Sequence, residues 1–198
     1  IYFGKGQIEN LGAAVKAWGD KALLVYGGGS IKKTGVYDKA MESLKKVGVS
    51  TVELAGVEPN PRVTSVREGV RLCRENGVQV VVPIGGGSSI DCAKVIAGSV
   101  SYEGDPWDLV IGKAKYKSFL PIVSVLTLAA TGSEMDAVAV ISNMDTNDKL
   151  GTGHPDMRPK ASILDPTYTF TVSKYQTASG TADIMSHIME NYFGGSEG

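Results

Sequence analysis

The sequence predicts an α/β protein, a Rossmann-like parallel sheet with helices on both faces, followed by the first helix of an all-α domain. Three observations carry this. Short apolar, β-branched runs alternate with segments of helical period. Two of those runs end in a triple-glycine turn followed by serine, at 27–30 and 85–88. Beyond residue 172 the strand signal stops and one long helical period takes over.

The first unit opens with Lys21–Tyr26 (KALLVY), which runs into Gly27-Gly28-Gly29-Ser30. A helix follows, with Val36, Ala40, Met41, Leu44 and Val47 on one face. A second unit pairs the strand Thr51–Leu54 with a helix over Arg62–Asn76, stopped by Gly77. The third starts with Val78–Ile84 (VQVVVPI), a near-continuous apolar run typical of a parallel strand buried on both faces. It passes through Gly85-Gly86-Gly87-Ser88 into a helix ending near Gly98. Strand candidates then follow at 121–127, 137–142 and 161–164. This places an α/β domain over residues 1–172, with 173–198 opening a second, helical domain.

Composition excludes several function classes. The chain has 198 residues, 42% apolar and 21% charged, which suits one globular core rather than disorder. Its net charge is −1 with both signs interleaved, so no basic stripe is available for nucleic acid or an anionic membrane. No apolar run approaches the roughly 20 residues needed to span a bilayer. A cytoplasmic protein is expected, with Cys73 and Cys92 as buried reduced thiols. Residue 1 is Ile, and GGSEG closes the sequence directly after a strong helical pattern, so both ends are expected to be cut.

In parallel sheets ligands bind beyond the carboxyl ends of the strands, where both glycine turns lie. Glycine-freed amides at a helix start can approach a phosphate closely, and the helix dipole favours its charge. Gly85–Asp91 therefore reads as a pyrophosphate cradle, with Ser88 and Asp91 spaced as a capping-box variant. A tight turn that needs glycine only for its dihedrals is the alternative. Neither turn matches G-x-G-x-x-G, since Ile90 stands where the third glycine belongs, and no G-x-x-x-x-G-K-[ST] loop occurs. Asp183 and His187, four residues apart on the last helix, leave the same face and suit either a divalent metal or a surface hydrogen bond. His154, between Gly153 and Pro155, reads as a turn residue.

Taken together, IYFGKGQIENLG at the start, VEPNPR at 57–62, PIGGGSSIDCAK at 83–94, TLAATGSE at 127–134 and SILDPTYTFTVSKYQTASGTADIMSHIMENYF at 162–193 resemble the iron-containing (group III) alcohol dehydrogenases, in particular their butanol dehydrogenase and aldehyde reductase branch. The resemblance runs in order along nearly the whole chain. It implies a dinucleotide-binding domain of the dehydroquinate synthase-like type, a helical domain, and an active site between them. It also implies that Gly86, Gly87 and Ser88 bind the cofactor pyrophosphate with Asp91 toward the nicotinamide. Gly28, Gly29, Ser30, Asn60, Thr127, Thr131 and Lys149 would line the remainder of the cofactor site.

The same resemblance makes Asp183 and His187 ligands of Fe2+ or Zn2+, with two further histidines expected beyond residue 198. Serine at 173, where the family commonly has proline, is expected to cap the metal-bearing helix. The implied reaction is reversible hydride transfer between NAD(P)(H) and a small alcohol or aldehyde, with the metal as Lewis acid and no side-chain base evident in this half. A homodimer or larger assembly is implied. A carboxylate at the end of the first strand would favour NAD(H). The turn there has no acid and is followed by Lys32 and Lys33, so NADP(H) is preferred. Glycerol dehydrogenase-like or dehydroquinate synthase-like chemistry, or an inactive nucleotide-binding fragment, are the alternatives.

Overall fold

The computed structural model describes residues 1–194. In chain order they form β1 (Tyr2–Phe3), α1 (Leu11–Lys16), β2 (Lys21–Val25), α2 (Ser30–Lys33), α3 (Val36–Lys46), β3 (Ser50–Leu54), α4 (Val63–Asn76) and β4 (Val80–Gly85). There follow α5 (Gly87–Ser99), α6 (Pro106–Val110), β5 (Val123–Leu126), β6 (Val138–Asn143), β7 (Asp148–Gly153), β8 (Ala161–Leu164) and α7 (Lys174–Phe193).

A six-stranded sheet runs β1-β8-β5-β4-β2-β3, with every neighbour parallel. Alternation along the strands divides the core into two layers. Leu23, Val25 and Val81 pack with Val66, Val70 and Ile96 from α4 and α5. Ala22, Leu24 and Val82 pack with Val15, Ala40 and Leu44 from α1 and α3. β4 is buried along its whole length, as the unbroken apolar run requires of a strand covered on both faces. The chain moves outward from β2 to β3 and then returns to place β4 on the other side of β2. The sheet therefore reverses its winding between β2 and β4, and a crevice opens at their carboxyl ends.

The expected strand after Pro121 and the one at 161–164 both enter this sheet. The candidate at 137–142 does not: β6 pairs antiparallel with β7 in a separate hairpin. β7 is largely exposed and polar (DKLGTG), so it carries no apolar period by which sequence could reveal it. Ser173 is the N-cap of α7, its hydroxyl accepting from the Gln176 amide at 3.2 Å. None of the described residues of α7 is buried, and no helix among the described residues is long and apolar enough to cross a membrane.

Candidate functional site

The two glycine turns meet at the β2/β4 reversal, where a cleft of about 330 Å³ is lined by Gly29 and Ser30 from the first turn, Gly86 from the second, and Thr127 after β5. The Thr127 amide donates to Gly85 O at 3.0 Å, which extends the β4–β5 pairing to the cleft wall. Gly29 has φ +93°, a conformation costly for any residue with a Cβ, and it turns the chain from β2 into α2. Tyr168 and Gln176 close the far side. The Tyr168 hydroxyl is buried without a hydrogen-bond partner among the described residues, and burial pushes its phenol up to about 12.

α5 presents its N-terminus to this cleft. Gly86 is the N-cap in extended conformation, and no side chain caps the helix. The Ser89 and Ile90 amides donate to Gly86 O at 3.1 and 3.3 Å, which leaves the Gly87 and Ser88 amides at the helix start to face an anion. A Cβ at Gly87 would stand 2.4 Å from Thr131 Oγ1 and 2.7 Å from its Cγ2. Glycine there lets the 127–134 loop lie directly on the helix start.

The capping box expected of Ser88 and Asp91 does not form. Asp91 turns instead toward the loop and hairpin, with Oδ1 accepting from Ser133 Oγ at 2.5 Å and Oδ2 from the Val140 amide at 2.9 Å. Burial raises its pKa, and those two bonds only partly oppose the shift. One turn further on, Lys94 has a fully buried side chain (0% exposed) and donates to Asp136 Oδ1 at 2.6 Å and Val138 O at 2.8 Å. Residue spacing gives Lys94 no role. A lone lysine inside the apolar run CAKVIAG was the available signal, because a lysine is almost never fully buried unless paired.

Asn60 and Lys149, 89 residues apart, are joined directly: Lys149 Nζ donates to Asn60 Oδ1 at 2.8 Å. Asn60 takes positive φ (54°), and the adjoining Pro61 carbonyl accepts from the Ser142 amide at 2.9 Å, tying this turn to the hairpin. The expected cofactor residues therefore fall into a cleft group, an Asp91 group beneath the loop, and an Asn60–Lys149 group at the hairpin.

Asp183 and His187 lie exposed on α7 with Oδ1 and Nε2 3.8 Å apart, and Glu190 Oε2 stands 3.5 Å from Nδ1 on the other side of the ring. A tetrahedral ion held at roughly 2.1 Å would separate neighbouring donors by about 3.4 Å. The pair therefore fits as one edge of a metal site. It does not fit as a whole one, since no group of three or more His, Cys, Asp or Glu suited to a metal occurs among the described residues. His154 is a turn residue, Nδ1 accepting from the Asp156 amide at 3.2 Å with its ring stacked on Phe119. Both cysteines are buried, and burial pushes each thiol up to about 12, so neither is a nucleophile.

An open parallel sheet with an uncapped helix N-terminus and two glycine turns at its reversal point defines a Rossmann-like α/β protein with an anion-accepting cleft. Residues 1–166 match the family described as iron-containing alcohol dehydrogenase. The chain is 61% identical over 198 residues to NADH-dependent butanol dehydrogenase A of Clostridium acetobutylicum, covering all of this chain and 51% of that protein. It is 41% identical over 195 residues to the NADPH-dependent aldehyde reductase YqhD of Escherichia coli, covering 97% of this chain and 50% of that protein. The solved structure of NADH-dependent butanol dehydrogenase A from Thermotoga maritima superposes with a TM-score of 0.91 at 47% identity, over 95% of this chain and 48% of that one. The chain belongs to the iron-containing alcohol dehydrogenase family. It spans about half the length of the curated relatives it matches.

Proposed function

We propose that this chain is the cofactor-binding half of an alcohol dehydrogenase that transfers hydride between a nicotinamide dinucleotide and a small aldehyde or primary alcohol. The observation that carries the reading is the convergence of both glycine turns on the β2/β4 reversal. There the α5 amides would hold the pyrophosphate at Gly86, Gly87 and Ser88, with Gly28, Gly29 and Ser30 beside the adenosine ribose. Thr127 and Thr131 would flank the bridge to the nicotinamide, Asp91 would fix the loop on which that ring lies, and Lys149 with Asn60 would close the site from the hairpin.

Asp183 and His187 would supply one edge of a divalent metal site, Fe2+ or Zn2+, and residues 173–198 would open the helical domain that completes it. The metal, when bound, supplies a Lewis acid for the carbonyl or alkoxide oxygen. The exposed Ile184, Met185, Ile188 and Met189 on α7 support a helix built to be covered by further chain. A homodimer or larger assembly and a cytoplasmic location belong to the same reading.

On cofactor choice, the acid-free 27–30 turn followed by Lys32 and Lys33 favours NADP(H), as in the name of the E. coli relative. Two relatives at 61% and 65% identity are named NADH-dependent. We retain NADP(H) as the better substrate, with NAD(H) also accepted. Nicotinamide fluorescence titration of the chain with NADPH and NADH tests the reading: micromolar binding of either is expected, and failure of both to bind below millimolar concentration rejects it. A second reading, dinucleotide binding without turnover by this chain alone, is favoured by the single metal-binding edge on α7. Absence of aldehyde-dependent NADPH oxidation in the presence of Zn2+ or Fe2+ would distinguish it.

A further inference from the structure

A polar cluster that the cleft does not include stands at the carboxyl ends of β2 and β3, directly below the first glycine turn. Tyr26, 2% exposed, follows β2, and its hydroxyl donates to Glu53 Oε2. Tyr37, from α3, donates to Glu53 Oε1 at 2.5 Å. Lys32 extends from α2 over both rings, its Nζ 4.6 Å from the Tyr37 centroid and 5.2 Å from that of Tyr26. That same Nζ stands 3.7 Å from Glu53 Oε2, beyond hydrogen-bond distance. Burial opposes the charge on Glu53, yet the two phenols and the lysine together hold its carboxyl below the usual carboxylate range. Both carboxylate oxygens are thus fixed and ionised, whereas the ammonium is attracted without being locked and remains half exposed.

The position of this cluster gives it a consequence for recognition. Lys32 belongs to the turn of helix whose Ser30, Ile31 and Thr34 line the cleft, and its side chain is half exposed. In a parallel nucleotide fold an acid at the end of the neighbouring strand accepts from a ribose 2′-hydroxyl, and a cation there pairs with a 2′-phosphate. Glu53 lies at that strand end, and each of its oxygens accepts from a tyrosine.

We propose that Glu53, fixed by Tyr26 and Tyr37, sets the discrimination between NADPH and NADH by holding the Lys32 ammonium back from the 2′-phosphate position. This rests on the cofactor-binding reading above and deepens it. Binding NADPH requires Lys32 to move from the tyrosine rings to the phosphate against the pull of Glu53. NADH makes no such demand.

The experiment measures dissociation constants of NADPH and NADH for the purified chain, its Lys32→Met, Glu53→Gln and Tyr37→Phe variants, with circular dichroism to verify folding. Lys32→Met is expected to weaken NADPH about tenfold and leave NADH within twofold, since one cation–phosphate contact is worth about 1.4 kcal/mol at that ratio. Glu53→Gln is expected to strengthen NADPH relative to NADH by threefold to tenfold, and Tyr37→Phe, which keeps the ring but frees one carboxylate oxygen, to shift the ratio the same way by less. Binding intact but with an unmoved NADPH/NADH ratio in folded Lys32→Met and Glu53→Gln overturns this inference alone. Loss of both dinucleotides already in the unsubstituted chain overturns the cofactor reading and this inference with it.

Discussion

Gly87 and Thr131 are packed so closely that a methyl group on Gly87 would overlap the threonine side chain, 2.4 Å from Oγ1. The contact joins the first residue of α5 to the loop that follows β5. Gly87→Ala must push the loop away or tilt the helix start, and either motion disturbs the amides offered to an anion. We expect about a tenfold loss in dinucleotide affinity, and roughly 1–3 kcal/mol of stability from overpacking. Calorimetric titration with NADPH alongside urea denaturation reads both, and undiminished affinity would remove Gly87 from the cradle.

The loop is held from beneath by Lys94. Its buried ammonium donates to Asp136 Oδ1 and Val138 O, and a methionine in its place fills the stem's volume but takes the lysine donor from both, leaving Asp136 Oδ1 only the Val138 amide at 3.0 Å. Because the Asp136 side chain is 35% exposed, the loss is smaller than for a fully buried pair, about 1–2 kcal/mol. Lys94→Met should therefore unfold at markedly lower urea, and a change under 1 kcal/mol would show that Asp136 simply turns to solvent.

Strand and helix periods made the parallel sheet legible, because β2, β4 and α5 are long enough and apolar enough to display which faces are covered. The glycine turns were legible for the same reason: each ends an apolar run. The hairpin was not, since Asp148–Gly153 is mostly exposed and has no buried side to betray a strand. The partners of Asp91 are not legible, because a capping box is a local pattern whereas Ser133 and Val140 lie 42 and 49 residues away. Tyr26, Tyr37 and Glu53 carry no motif at all. The parallel register of β2 with β3 brings Tyr26 to Glu53, and α3 adds Tyr37.

Two carboxylates, the half-buried Asp91 and the buried Asp165, should give opposite pH responses. Burial raises the pKa of Asp91, so between about pH 4 and its higher folded value the native state binds the proton more tightly and stability falls as pH rises. Asp165 is buried too, which opposes its charge, but bonds from the Thr167 hydroxyl and the Gly6 and Thr167 amides hold its pKa low. Its contribution is present above about pH 4 and lost as pH falls through the depressed folded value. Relative to the unsubstituted chain, Asp91→Asn should gain stability as pH rises above about 4, and Asp165→Asn should lose it as pH rises toward about 4 from below. Parallel slopes in urea denaturation of both variants would contradict these assignments.

The α7 pair makes the sharpest prediction about metal. Asp183 and His187 stand at a separation suited to neighbouring ligands of one ion, yet they are exposed and no third ligand joins them among the described residues, so water would fill the other positions. Complete four-ligand zinc sites bind with apparent free energies of about 10–16 kcal/mol. One edge of such a site should reach only affinities on the order of 10 µM or weaker. Zn2+ titration of the chain by calorimetry should show this weak binding, removed by His187→Ala. Submicromolar binding abolished by His187→Ala would mean that the chain already holds a complete ligand set, and the division of the metal site between this chain and further sequence would then be wrong.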